Sequence, residues 1–428
     1  MRDTGHDPDD SASPWHNATV HRYLLAAALL VSAAACSSDD DSAGTPTSDA
    51  VTTQPAVTEP PATEPPVTDP PATDPPATDP VIEFSAIGEG PYQVGVTTIT
   101  VNDAARNRPL TVDVWFPLAE GTSGNPHQYT LLPGVYYESP FAISADATAL
   151  ATDGPFPLVV YSHGSGGLRY IHSSYTEAIA SYGYIVVAPD HTGNTAVDRL
   201  AGAEADFEVT ALNRPNDVKA VIDAMLDPAR PETAGFVPSV DPERIAVTGH
   251  SFGGFTTYAM ASGYSNSLGT FDADPRVDAI IPLAPATGDG TRLLTDADLA
   301  KVTVPALVMV GTNDQTTPVD PNVTRAWELT ASSPHIRVEF VDGQHQTFTD
   351  LCEYQEFLPT LSDVPQVVID TITAYGEEGC SPGDMPTDRA AELTNTFAVQ
   401  FLESVFRGGP AIDPVTEFPD DVVVMIKP

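Results

Sequence analysis

Residues 249–253 read Gly-His-Ser-Phe-Gly, and they sit between an apolar run, 244–248, and a stretch of helical character from 255 to 261. A strand that turns directly into a helix leaves no room for side chains on either flank of the turn. Glycine at both flanks meets that steric demand. The central residue, Ser251, is then held in a strained backbone conformation with its hydroxyl presented above the end of the strand. This constrains the fold strongly, since it requires a strand, a helix packed back on that strand, and a serine at the strand's carboxyl end.

Strand-like runs alternate with helical ones through the chain after residue 156. Strands are predicted at 157–162, 185–188, 245–248, 279–283, 306–310 and 337–341, with helices at 174–182, 215–226, 255–262 and 390–406. Near-continuous apolar strands between helices imply an α/β class with a mostly parallel twisted sheet covered on both faces. Residues 94–101 and 110–116 read as an antiparallel starting hairpin. Residues 117–156, with scattered Gly, Pro and Tyr, read as a loop-rich stretch. Ligands in such sheets belong at the carboxyl ends of the strands, where Ser251 would lie.

The Gly-x-Ser-x-Gly pattern in this setting resembles the nucleophile elbow of the α/β-hydrolases, whose triad follows in the order Ser, acid, His. A free serine hydroxyl is a poor nucleophile and needs a base. Of the two histidines after Ser251, His335 precedes a predicted strand and His345 follows it, so His345 is at the end of the sheet where a base is needed. Asp314 follows the strand 306–310 and is the leading candidate for the acid that orients the imidazole. Asp289 competes with it, and Asp342 is read as a turn cap. The two backbone N–H groups of an oxyanion hole are assigned to Phe252 and, in the glycine-rich turn 163–167, to Ser165. His163 and His250 are read as structural. This chemistry requires no metal or cofactor.

Four segments extend the resemblance: SHGSGG at 162–167, SYGYIVVAPDH at 181–191, GHSFGG at 249–254 and HQTF at 345–348. Together they are similar to the platelet-activating-factor acetylhydrolase and dienelactone-hydrolase-like branch, over residues 92–350 and the helix 390–407. The resemblance implies an esterase acting on short-acyl, oxidised-acyl or other small esters, a small-molecule or lipid ester. One departure is that the plasma acetylhydrolases place their acid after the strand matching 280–284. Ala284 and Pro285 stand there in this chain, which favours an acid after the next strand, as in bacterial polyester hydrolases. A cutinase-like polyester hydrolase, a peptidase and a non-catalytic cell-surface binding module are the competing readings.

The link 285–304 is too short for a large lid domain. An insertion at 349–387 follows the candidate base and holds Cys352 and Cys380, which are expected to pair. That bridge would pin the insertion beside the mouth of the site.

The first eighty residues are not domain-like. The apolar run 23–35 suits a signal-peptide core rather than a membrane span. Small residues running into Cys36 resemble a bacterial lipoprotein signal, with Cys36 as the lipidated residue; an ordinary secretory signal is the alternative. Residues 58–77 repeat TEPPA, TEPPV, TDPPA, TDPPA, and proline at this density favours an extended chain that packs no core. Residues 36–80 therefore read as a tether and 81–428 as one catalytic domain, extracytoplasmic and monomeric. The net charge is −41, and only two arginines face thirteen acids in residues 1–80, so most of that charge belongs to the domain. No basic patch exists to neutralise phosphates, which argues against nucleic acid as a partner. Any membrane association would come through the lipid anchor alone.

Overall fold

The computed structural model describes residues 90–288, 293–413 and 418–427. The expected signal segment, Cys36, the expected tether and Asp289 lie outside the described residues.

Thirteen strands are present among the described residues. They are β1 (Val94–Asp103), β2 (Arg108–Pro117), β3 (Pro126–Leu132), β4 (Val135–Ser144), β5 (Phe156–Ser162), β6 (Ile185–Pro189), β7 (Val240–His250), β8 (Tyr264–Asn266), β9 (Gly269–Phe271), β10 (Ala279–Leu283), β11 (Ala306–Gly311), β12 (His335–Phe340) and β13 (Val422–Lys427). The helices are α1 (Ser173–Ser181), α2 (Ala196–Ala201), α3 (Phe207–Leu226), α4 (Phe252–Ser262), α5 (Asp296–Leu299), α6 (Val319–Leu329), α7 (Leu351–Phe357), α8 (Gln366–Tyr375) and α9 (Thr387–Arg407).

Eleven strands form one sheet in the order β13-β12-β11-β10-β7-β5-β6-β2-β1-β4-β3. The six from β12 to β6 are parallel. Their residues explain why. β5, β6, β10 and β11 are buried along their whole length, which a strand achieves only with cover on both faces. Along β5 the side chains alternate between the two layers. Leu158 and Val160 pack toward one, with Val218, Val221 and Phe255 from α3 and α4. Val159 and Tyr161 pack toward the other, with Ile179 of α1 and Phe397 and Phe401 of α9. Strand β5 has β6 on one side and β7 on the other. The connections diverge there, leaving a crevice at the carboxyl ends of these strands.

Two expectations change, and one strand is new. Residues 117–156 are more regular than a loop-rich stretch. They hold β3 and β4, an antiparallel hairpin on the far edge of the sheet, turned at Gly134 with φ 83°. Helix α3 starts at Phe207, not at Pro215. A proline is at home in the first turn of a helix, but here Pro215 is buried inside one that already begins after Asp206. The chain also returns at its end as β13, antiparallel to β12. The starting hairpin forms as expected, with Val94 opposite Pro117 and Asp103 opposite Arg108. The insertion 349–387 folds into α7 and α8, and a Cys352–Cys380 disulfide with a Cα–Cα distance of 5.3 Å closes it on itself, tying α7 to the segment that follows α8.

Candidate active site

Strand β7 ends at His250 and α4 begins at Phe252, so Ser251 alone makes the turn. Its φ of 58° and ψ of −114° lie where few residues other than glycine go. Three hydrogen bonds hold it there: its N–H donates to Leu283 O (2.9 Å), and its carbonyl accepts from Ala286 N (3.0 Å) and Phe255 N (3.2 Å). The flanking glycines are sterically required. A Cβ at Gly249 would lie 2.5 Å from Ser162 O, and one at Gly253 would lie 1.8 Å from the same atom.

Asp314 follows β11 and His345 follows β12, so both emerge at the same end of the sheet as Ser251. His345 Nε2 is 2.9 Å from Ser251 Oγ, and His345 Nδ1 is 2.9 Å from Asp314 Oδ2. A carboxylate offers only acceptors, so Nδ1 carries the imidazole proton and Nε2 accepts from the serine hydroxyl. The side chains of Asp314 and His345 are buried, which keeps the pair out of competition with water.

Thr317, to which the sequence reading gave no role, completes the acid's environment. Its N–H donates to Asp314 Oδ1 (2.7 Å). Its Oγ1 lies 2.9 Å from Asp314 Oδ2, 3.0 Å from Ala284 O and 3.1 Å from His345 Nδ1. The signal was present as Asp-x-x-Thr, a spacing at which a side-chain carboxylate can accept from the backbone three residues on.

The other histidines take separate places. His250 is buried with Nε2 2.9 Å from the carbonyl of His345, and burial pushes its pKa well down; a neutral ring there donates to and steadies the His345 backbone. His163 Nε2 accepts from His191 N (3.1 Å) and its Nδ1 donates to Gly164 O (2.7 Å), bracing the glycine turn from within. His335 is the first residue of β12, at the opposite end of the sheet from Ser251. Asp342 sits in a turn with φ 59° and donates its N–H to Thr312 Oγ1.

Phe252 is the first residue of α4, so its N–H has no partner within the helix. The turn Gly164–Gly167 lies against the serine, since a Cβ at Gly164 would be 3.4 Å from Ser251 Cβ. Within that turn Gly166 N donates to Asn194 O and Gly167 N to Gly164 O. The Ser165 N–H has no intramolecular partner among the described residues. Both N–H groups are therefore open to an external acceptor.

Ser251, His250, His345 and Gly164–Gly167 line a cavity of about 620 Å³. Its walls are mainly apolar, built from Leu131, Leu168 and Ile171 of the body and Val368, Ile372 and Tyr375 of α8. Arg199 of α2 reaches across to Tyr375 Oη (3.0 Å), linking the body to the inserted helices at the rim. Among the described residues no group of His, Cys, Asp and Glu is arranged to hold a metal ion.

A second Ser-His-Asp chain lies deeper. His191 Nε2 is 2.9 Å from Ser162 Oγ and His191 Nδ1 is 3.1 Å from Asp217 Oδ2. All three residues have zero solvent exposure. Ser162 lies in the extended strand β5, and Asp217 is also held by Arg106 and Arg108. Geometry alone would make this a nucleophile; burial makes it a brace.

Comparison with known proteins fits this architecture. Residues 135–206 match the family model of platelet-activating factor acetylhydrolase, isoform II. The platelet-activating factor acetylhydrolase of Bos taurus is 25% identical over 227 residues, 41% of this chain and 51% of that protein. The Gallus gallus enzyme is 27% identical over 236 residues, 41% and 56% respectively. Chlorophyllase-1 of Arabidopsis thaliana is 28% identical over 145 residues, 33% and 39%. The chain thus spans about half the length, or less, of the curated relatives it matches. Among solved structures, a ferulic acid esterase from Streptomyces cinnamoneus superposes with a TM-score of 0.57 at 24% identity, over 79% of this chain and 97% of that one. The chain has an α/β-hydrolase fold.

Proposed function

We propose that the protein is a serine hydrolase of carboxylic esters, with Ser251 as nucleophile, His345 as general base and acid, and Asp314 as the residue that orients and stabilises the imidazolium. The observation that carries this reading is the continuous chain Asp314–His345–Ser251, with both contacts at 2.9 Å, opening on an apolar cavity. Ser251 Oγ attacks the carbonyl carbon while its proton passes to His345 Nε2. The tetrahedral oxyanion accepts from the N–H groups of Phe252 and Ser165. Collapse expels the alcohol, which takes the proton from His345, and water repeats the sequence to release the acid.

The apolar walls suit an uncharged acyl or aryl group of modest size. The relatives named above are enzymes of ester substrates, which favours esters over amides. Part of the same reading is that the domain works outside the cytoplasm, attached through residues 36–80. The disulfide supports that placement, because structural disulfides persist in oxidising compartments. The test is hydrolysis of p-nitrophenyl acetate and butyrate by Ser251→Ala. Loss of at least about a thousandfold in kcat is expected, and unchanged hydrolysis refutes the proposal.

A further inference from the structure

The two oxyanion donors belong to separate segments, the turn after β5 and the first turn of α4, and one side chain touches both. Arg214 on α3 is completely buried. Its Nη1 donates to His163 O (2.6 Å) and its Nη2 to Gly164 O (2.9 Å). The Gly164 carbonyl and the Ser165 N–H belong to one planar peptide group, so fixing the oxygen fixes the opposite direction of the N–H. His163 Nδ1 grips the same oxygen. On its other side the guanidinium carbon lies 4.7 Å from the centre of the Phe252 ring, the residue that supplies the second N–H.

The remaining donors of Arg214 serve the same loop. Nε and Nη2 donate to Asn194 Oδ1 (3.0 and 2.7 Å). Asn194 in turn donates through Nδ2 to Ser165 Oγ (3.2 Å) and accepts Gly166 N at its carbonyl. Nη1 also reaches Ser162 Oγ (3.3 Å), so the buried Asp217–His191–Ser162 chain ends on this guanidinium. Among the described residues no carboxylate lies within hydrogen-bonding distance of Arg214. A buried cation held by neutral acceptors is costly, and a requirement of packing alone would be met by an apolar residue.

We propose that Arg214 is the positioning residue of the oxyanion hole, holding the Gly164–Ser165 peptide and the Phe252 ring in register with Ser251. This rests on the ester-hydrolase reading. Its positive charge behind the peptide also polarises the Ser165 N–H toward the developing alkoxide.

The test compares Arg214→Met, which keeps an unbranched stem without donors, with Arg214→Lys. Hydrolysis of p-nitrophenyl butyrate is measured per active site, titrated with a fluorophosphonate. Arg214→Met is expected to lose about a hundredfold in kcat, the scale of one oxyanion donor, with KM within about twofold. Arg214→Lys should recover about tenfold of that. Affinity for an alkyl boronic acid, whose serine adduct places an oxygen in the hole, should fall in step with kcat/KM. A merely structural arginine would lower the number of titratable sites and leave kcat per site intact, and that result overturns the proposal. If Arg214→Met shows no cooperative melt, Arg214→Lys decides: kcat per site equal to the parent's overturns the proposal, and a drop of about tenfold supports it. Ser251→Ala is run alongside. Activity surviving in it refutes the ester-hydrolase reading; its loss beside an unchanged Arg214→Met refutes only the role of Arg214.

Discussion

Gly253→Ala perturbs the elbow most directly, and the structure sets the size of the effect. The added methyl would lie 1.8 Å from Ser162 O, 2.6 Å from Ser162 C and 3.0 Å from His163 O. Real Cβ atoms essentially never come closer than 3.0 Å to a neighbour, so α4 and the end of β5 must separate by about 1.2 Å or more. Neither side yields easily. β5 is buried from Phe156 to Ser162, and α4 is buried at ten of its eleven positions. Overpacking of this kind costs about 1–3 kcal/mol, and a backbone contact belongs at the top of that range. The displacement also opens the gap between Phe252 and the glycine turn. A misplacement of about 1 Å at reacting groups costs on the order of a hundredfold in rate. Thermal unfolding and the second-order rate of fluorophosphonate labelling should both report it. Gly249→Ala, whose methyl would lie 2.5 Å from Ser162 O, should be the milder of the two. Gly253→Ala with an unchanged melting temperature and a labelling rate within twofold of the parent would show that the strand–helix separation is not what positions Ser251.

Asp314→Asn should lower kcat by about 10⁴ with little change in KM, since the amide favours the wrong imidazole tautomer; Asp289→Asn should keep near-parental kcat. Replacing both Cys352 and Cys380 by serine opens a loop spanning a separation of 28 residues, worth about 3.6 kcal/mol in the chain-entropy model. The loss should appear as faster proteolysis within α7 and α8 and a lower melting temperature. Burial pushes the Glu177 carboxyl up to about 8, where it accepts from Tyr129 Oη and Ser139 Oγ. The folded state then holds a proton that the unfolded state gives up near the ordinary carboxylate pKa, so stability falls as pH rises from about 4.5 to about 8. Glu177→Gln should flatten that slope, with its melting temperature gaining on the parent's between pH 5 and pH 8.

The central sheet was legible because its strands are buried on both faces: runs such as Leu158–Val160 and Leu307–Val310 admit little else. The candidate site was legible because its residues are ordered along the chain, with Ser251, Asp314 and His345 each following an apolar strand and meeting in the fold. What was missed depends on weaker or non-local signals. β3 and β4 form an edge hairpin with exposed Tyr136 and Phe141, so their alternation is blurred and Pro126, Pro133 and Pro140 suggest a loop. Pro215 marks a helix start by local chemistry, yet α3 passes through it because burial of Ala211, Val218 and Ile222 on one face carries the helix. β13 reads as an apolar run without a partner until β12 supplies one. Arg214 and Asn194 are about twenty residues apart and about thirty to fifty from the turn they brace. No sequence spacing links them, and only the packing of α3 beneath β5 does.

The nucleophile is tested most directly by labelling the protein with a fluorophosphonate and locating the phosphonylated residue by peptide mass spectrometry, beside p-nitrophenyl butyrate hydrolysis. Stoichiometric modification of Ser251 with parallel loss of activity is expected, with no modification of the buried Ser162 and neither labelling nor hydrolysis in Ser251→Ala. Labelling at another serine, or hydrolysis that survives in Ser251→Ala, would contradict the assignment of Ser251.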